Sequence, residues 1–229
     1  MTDRRGELAA NLADVQADIA AHCRNRPPAT LIVVTKTWPA SDVRLLASLG
    51  VTDVGENRDQ EARTKHSECA DVALTWHCIG QLQTNKAKSV ALWADVVHSV
   101  DRLDLVTALE RATVQRDIPL AALIQVNLDP EYREGRGGCP ADQLPRLAER
   151  IAATAGLRLA GVMGVAPLDG DPAPAFQRLA QSAAWLRGEY PQADWISAGM
   201  SADYRIALEF GATHLRLGSS VLGHRPAAG

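Results

Sequence analysis

The chain has 229 residues, 46% of them hydrophobic, enough to bury one substantial core in one large domain or two small ones. Its formal net charge of −3 leaves no broad basic field, which argues against a nucleic-acid partner and means that an anionic ligand has to be met by a few aimed donors. Cys23, Cys69, Cys78 and Cys139 form no C-x-x-C pair or Cys/His cluster, the N-terminal MTDRRGELAANLADVQ lacks the apolar stretch of a secretory signal, and no apolar run is long enough to span a membrane. The expectation is a reduced, soluble, cytoplasmic protein with structural thiols.

In chain order, a helix over roughly 5–24 precedes a first strand, TLIVVT, at Thr30–Thr35. A helical pattern over 39–49 starts with Pro39, carries Val43, Leu45, Leu46 and Leu49, and stops at Gly50. Strands follow near Val51–Val54, Leu74–Ile79 and Asp95–Val100, then a helix over 101–117 with Asp101 as its N-cap. The strand Leu120–Val126, a helix over 140–155, the strand Arg158–Met163 and a helix over 172–189 come next. The strand Asp194–Ala198, a helix over 201–210 that opens at Ser201 and stops at Gly211, and the strand Thr213–Leu217 complete the series. Most strands are near-continuous hydrophobic runs, as parallel strands buried on both faces require. Eight such strands interleaved with helices predict the α/β class: a single-domain (β/α)8 TIM-type barrel over 1–229, with an extra N-terminal helix and a flexible tail at 223–229. The competing open doubly wound sheet usually carries G-x-G-x-x-G after its first strand, and that motif is absent.

In a barrel of this kind the chemistry sits at the C-terminal ends of the strands. Lys36 directly follows strand 1. It reads either as a partly desolvated amine that condenses with an aldehyde or as a lysine whose stem packs while its head reaches water. Strand 2 leads into Glu56-Asn57, where Asn57 is a hydrogen-bonding side chain or a helix N-cap. His77 and His98 read more simply as satisfied core histidines than as acid–base groups. Met163 packs against a flat ring or fills core. Glu134–Gly138, EGRGG, is a loop over the mouth or a plain surface loop.

Strand 7 runs into Ser197-Ala198-Gly199-Met200-Ser201, and strand 8 into Arg216-Leu217-Gly218-Ser219. These are the loops in which barrels frequently bind phosphate, and small residues with hydroxyls make a phosphate cup the better reading than two ordinary capped turns. Arg216 shares a strand face with Gly218, so it points inward and needs an acceptor: a pyridine nitrogen, or a carboxylate not identifiable from sequence. An amine, a phosphate cup and a ring-nitrogen partner together describe a site for pyridoxal 5′-phosphate. A different phosphate ligand would explain the cup without requiring Lys36.

The segments VVTKTWP, GENRDQE, WHCIGQLQTNK, HSVDR, GVMGVAP and SAGMSADYRIALEFGATHLRLGSSVLG lie between about residue 31 and residue 223. On them the chain resembles the pyridoxal-phosphate homeostasis proteins, which are similar to the N-terminal barrel of alanine racemase. The resemblance implies a Schiff-base lysine at Lys36, phosphate contacts at Ser201, Gly218 and Ser219, and Arg216 facing the pyridine nitrogen. It also implies a pocket lined by Asn57 and His77, with Met163 and Met200. It departs from the family after strand 5, where Asn127-Leu128-Asp129 and EGRGG replace Asn-x-Ser and a lysine-containing loop. Gly164-Val165 and Ser219 also stand where the family often has Thr-Ile and Thr.

The implied role is carrying or buffering the cofactor in vitamin B6 and amino-acid homeostasis. The implied partners are pyridoxal phosphate and, as recipients, apoenzymes that use it, with no nucleic acid or membrane partner and a monomeric state. No settled catalytic activity is implied. The alternatives are a small pyridoxal-phosphate-dependent amino-acid racemase or lyase, and a barrel enzyme acting on a phosphorylated sugar. A racemase needs two bases on opposite faces of its substrate, and Tyr132, Tyr190 and Tyr204 stand at no predicted strand end.

Overall fold

In the computed structural model, which describes residues 3–24, 26–129 and 137–223, eight parallel strands close into one barrel in sequence order. They are β1 (Thr30–Val34), β2 (Asp53–Glu56), β3 (Thr75–Cys78), β4 (Val96–Val100), β5 (Leu120–Gln125), β6 (Leu157–Met163), β7 (Trp195–Ser197) and β8 (His214–Leu217). The barrel closes where β1 pairs with β8, from Thr30 opposite His214 to Val33 opposite Leu217. Every residue of β4 and β5 is buried, which accounts for their mostly apolar sequences, interrupted by His98 and Ser99 in β4 and Gln125 in β5. The expected single barrel is therefore the fold. Glu134–Arg136 of the EGRGG segment and residues 224–229 of the tail lie outside the described residues.

Around the strands run α1 (Arg4–His22), α2 (Ala40–Ser48), α3 (Asp59–Glu68), α4 (Ala87–Val90), α5 (Leu103–Thr113), α6 (Leu144–Ala152), α7 (Ala173–Glu189), α8 (Tyr204–Glu209) and α9 (Ser219–Leu222). In α1 the Asp3 side chain accepts from the Arg5 N–H, and Leu8, Leu12, Val15 and Ile19 form the stripe laid on the barrel. The stops read at Gly50 and Gly211 have a backbone cause. Both glycines have positive φ, and the Val51 and Ala212 N–H groups reach back to Leu46 O and Ala207 O, closing α2 and α8 with Schellman motifs.

Two expected starts move. The helix read from Ser201 begins at Tyr204, with Asp203 as its N-cap residue, so Ser201 lies in the preceding turn. The helix read from an Asp101 cap begins at Leu103, and the Asp101 carboxylate instead pairs with Arg102. The main core lies between strands and helices, and a smaller cluster of Val96, Ala121, Leu123, Ala160 and Met163 fills one side of the barrel interior. All four cysteines are buried thiols. Among the described residues no helix is long and apolar enough to cross a membrane, and no cluster of His, Cys, Asp and Glu suited to a metal ion occurs.

Candidate functional site

A cavity of about 570 Å³ is lined by residues that directly follow the strands. Lys36 follows β1, Asn57 follows β2, Ile79 follows β3, Val165 follows β6, Met200 and Ser201 follow β7, and Gly218 and Ser219 follow β8. Arg216, two residues below Gly218, forms part of the same wall. A larger cleft of about 680 Å³ lies beside it, lined by Thr37, Trp38 and the polar face of α3, and contains no end of β7 or β8.

Lys36 is exposed at the rim, which agrees with the reading in which its head reaches water and not with that of a partly desolvated amine. Its neighbour Thr37 has φ of 69°, a conformation costly for a β-branched residue. The Glu61 carboxylate accepts from the Thr37 N–H and holds that turn. Lys65 in turn grips Glu61 at 2.6 Å, Glu56 Oε1 at 2.7 Å and Thr35 O at 2.7 Å. Glu56 is fully buried, its Oε2 has no partner among the described residues, and burial raises its pKa above the usual carboxylate value against the pull of Lys65 and Thr35.

Asn57 is not the N-cap residue of α3, which is Arg58. It lies against Gly80, where an added Cβ would come within 2.3 Å of Asn57 O, so glycine is needed for the two loops to touch. In the same lining, the Ser219 hydroxyl lies 3.2 Å from the Ser201 hydroxyl, joining the β7 and β8 loops.

Arg216 is 5% exposed and has no carboxylate partner among the described residues. Nη1 donates to Ser197 Oγ at 2.6 Å and Nη2 to Gly164 O at 2.9 Å. Burial lowers its pKa to about 10, with the Asp203 charge opposing, so it remains a cation at neutral pH.

Of the residues singled out from sequence, the structure brings Lys36, Asn57, Met200, Ser201, Arg216, Gly218 and Ser219 onto one wall. His77 and Met163 do not join them. His77 is fully buried one layer deeper than Ile79, its ring held between His98 and Asp53. Met163 is 2% exposed in the inner apolar cluster, and the wall on its strand is formed by Val165, two residues on. The sequence reading missed Val34, Trp38, Ile79 and Val165. Strand parity was the available signal, since Val34 and Ile79 share faces with Lys36 and His77.

The family model for the alanine racemase N-terminal domain matches residues 6–226. The chain is 38% identical over 244 residues to the pyridoxal phosphate homeostasis protein of Mycobacterium tuberculosis, covering 97% of this chain and 95% of that protein. It superposes with a TM-score of 0.81 and 31% identity on PipY of Synechococcus elongatus, solved with PLP bound, over 94% of this chain and all of the other. Alanine racemase from Corynebacterium glutamicum shares the fold, with a TM-score of 0.73 at 13% identity over 98% of this chain and 62% of its own.

Proposed function

The chain belongs to the alanine racemase N-terminal domain family and, within it, to the pyridoxal phosphate homeostasis proteins, and on that premise we propose that it binds pyridoxal 5′-phosphate as a Schiff base on Lys36 and carries or buffers it. Vitamin B6 and amino-acid homeostasis is the corresponding role, with apoenzymes that use the cofactor as recipients. The observation that carries this reading is one cavity wall with an amine at the rim, paired hydroxyls at one end and a buried guanidinium.

The residues fit the group. The Ser201 and Ser219 hydroxyls supply donors for a phosphate, Arg216 presents a donor to a ring nitrogen, and Met200, Ile79 and Val165 offer apolar surface to a flat ring. When bound, pyridoxal phosphate supplies an aldehyde and an electron-accepting ring. Arg216 only donates hydrogen bonds and keeps its protons at neutral pH, so it holds the ring nitrogen unprotonated and weakens that electron acceptance. Among the described residues that line the cavity, only Lys36 and Arg216 carry ionisable side chains.

Borohydride reduction followed by peptide mass spectrometry tests the assignment. The expected result is a visible-absorbing species whose reduced adduct maps to Lys36 and is lost in Lys36→Ala. The same species in purified Lys36→Ala would overturn the assignment, and rapid turnover of a free amino acid, abolished by that substitution, would replace a carrier with an enzyme.

A further inference from the structure

Below the cavity an unbroken line of polar side chains runs through the barrel interior. Arg216 Nη1 meets Ser197 Oγ at 2.6 Å, and Ser197 Oγ meets His98 Nδ1 at 2.9 Å. His98 Nε2 meets His77 Nδ1 at 2.8 Å, and His77 Nε2 meets Asp53 Oδ1 at 2.9 Å. Ser197, His98 and His77 are fully buried. Asp53 opens β2, is partly exposed, and lines a separate cavity with Thr30, Val51 and Thr52 at the N-terminal ends of the strands. The line therefore joins the two ends of the barrel and crosses β8, β7, β4, β3 and β2.

Its proton arrangement follows from what each group is able to do. A guanidinium only donates, so Ser197 Oγ accepts from Arg216. The direction is set at the other end: the Asp53 carboxylate only accepts, so His77 Nε2 donates to it, and with one proton on each ring the order passes back along the line until Ser197 gives its hydroxyl proton to His98 Nδ1. Nε2 is then the protonated nitrogen of His98 and donates to His77 Nδ1. Every link then points from the Arg216 cation to the Asp53 anion, the arrangement in which aligned dipoles reinforce one another.

The surroundings agree. Burial, together with the charges of His77, Arg216 and His214, drives the His98 pKa well below its ordinary value. Burial opposes ionisation of Asp53, but hydrogen bonds from His77 and Thr52 outweigh it and hold its pKa low. The other charged or titratable groups facing the line are His214 of β8, Arg158 of β6 and Asp203 beside Arg216.

We propose that Asp53, His77, His98 and Ser197 are positioning residues: a one-way relay that fixes the Arg216 guanidinium against the ring nitrogen of bound pyridoxal phosphate and ties that contact to a carboxylate at the opposite end of the barrel. The inference rests on the reading of the cavity as a pyridoxal-phosphate site. A carboxylate paired directly with Arg216 would put an acid–base group next to the ring nitrogen. Placing the counter-charge three side chains away leaves the guanidinium as the donor facing the ring and still offsets part of the cost of burying it.

Two measurements test the relay. In ligand-free protein labelled with nitrogen-15 in histidine, side-chain NMR at pH 7.5 is expected to show both His77 and His98 protonated at Nε2. Protonation of His98 at Nδ1 would reverse the line and overturn the proposal, whether or not the cofactor binds. In protein loaded with pyridoxal phosphate, Asp53→Asn and His98→Gln are expected to shift the absorption band and speed cofactor release by about fivefold, the low end of couplings between separated sites. Val96→Ala, in the apolar half of the same interior, is expected to lower Tm and leave band and release unchanged. If the two relay variants lower Tm but keep the wild-type band and release rate, the line only supports the fold and the proposal fails. A wild-type protein that forms no chromophore at all would instead defeat the reading of the cavity, while the tautomer measurement still decides the direction of the line.

Discussion

His214 packs at a tilt against Trp195, with ring centroids 4.1 Å apart and 32° between the planes, and Arg158 covers the same indole at 5.0 Å. Burial, then the charges of His77 and Arg158, lower its pKa to about 4, against a pull upward from Asp53. The unfolded chain therefore binds a proton near pH 6.5 that the folded chain refuses until about pH 4. The stabilising difference is complete above pH 6.5 and is lost as pH falls through that window. One such histidine is worth on the order of 3 kcal/mol over the window, and His98, shifted the same way, adds to it. The urea midpoint is expected to drop steadily from pH 7.5 to pH 4.5, with a shallower slope in His214→Gln. A flat profile would contradict the buried, neutral state of both rings. At this scale the sequence was only partly legible. Lys36, Asn57, Ser201 and Ser219 were visible because strand ends in a barrel announce themselves. His77 was read from the residues as a satisfied core histidine, as it is, and only the resemblance placed it in the pocket lining; which of two inward layers a strand residue occupies is a depth that periodicity alone does not encode.

The elements teach a related lesson at β5 and β6. Ala122 pairs with Leu159 but Leu123 pairs with Gly161, so Ala160 is an extra residue bulged into the ladder. Ala160 and Met163 both enter the inner cluster although they are three apart, a parity that a regular strand forbids. The sequence left Met163 open between packing on a flat ring and filling core, and nothing in its periodicity shows the bulge beside it. Gly161 makes it possible: its φ is 154°, and an added Cβ would fall 2.0 Å from Trp195 O, a backbone atom with no room to yield. Gly161→Ala is expected to cost about 3 kcal/mol or more in chemical denaturation, at the upper end of overpacking, and to move the Trp195 fluorescence. A loss below about 1 kcal/mol would mean that the bulge relaxes elsewhere. The other illegible elements have simpler causes. α3, DQEARTKHSE, buries only Ala62 and Lys65 and so presents no apolar stripe. Val51 reads as strand but belongs to the motif that closes α2, which starts β2 two residues later than expected.

For the molecule as a whole, the closed cylinder leaves its last segments to be fastened from outside, and α1 does this. Arg4 Nη2 bonds Asp42 Oδ2 at 2.7 Å and Leu222 O at 3.1 Å, and Asn11 Nδ2 bonds Val221 O at 3.0 Å, satisfying carbonyls that α9 would otherwise leave open. Farther along, Asp18 Oδ2 accepts from Tyr204 Oη at 2.7 Å and from Arg205 Nε at 2.9 Å, gripping α8. These are the two helices that follow the Ser201 turn and start at Ser219, so the outer helix and the paired hydroxyls belong to one mechanical unit. Removing the α9 grip with Arg4→Ala and Asn11→Ala together is expected to cost about 1–3 kcal/mol, the range for lost hydrogen bonds that include a charged donor. It is also expected to hasten release of pyridoxal phosphate while leaving reduction at Lys36 possible. Release measured by transfer to a scavenging apoenzyme separates this from a general loss of fold: at a temperature where the double variant is fully folded, release has to be faster than in wild type. An unchanged rate at that temperature would make α1 a clamp for stability alone, with the hydroxyl pair held entirely by the barrel.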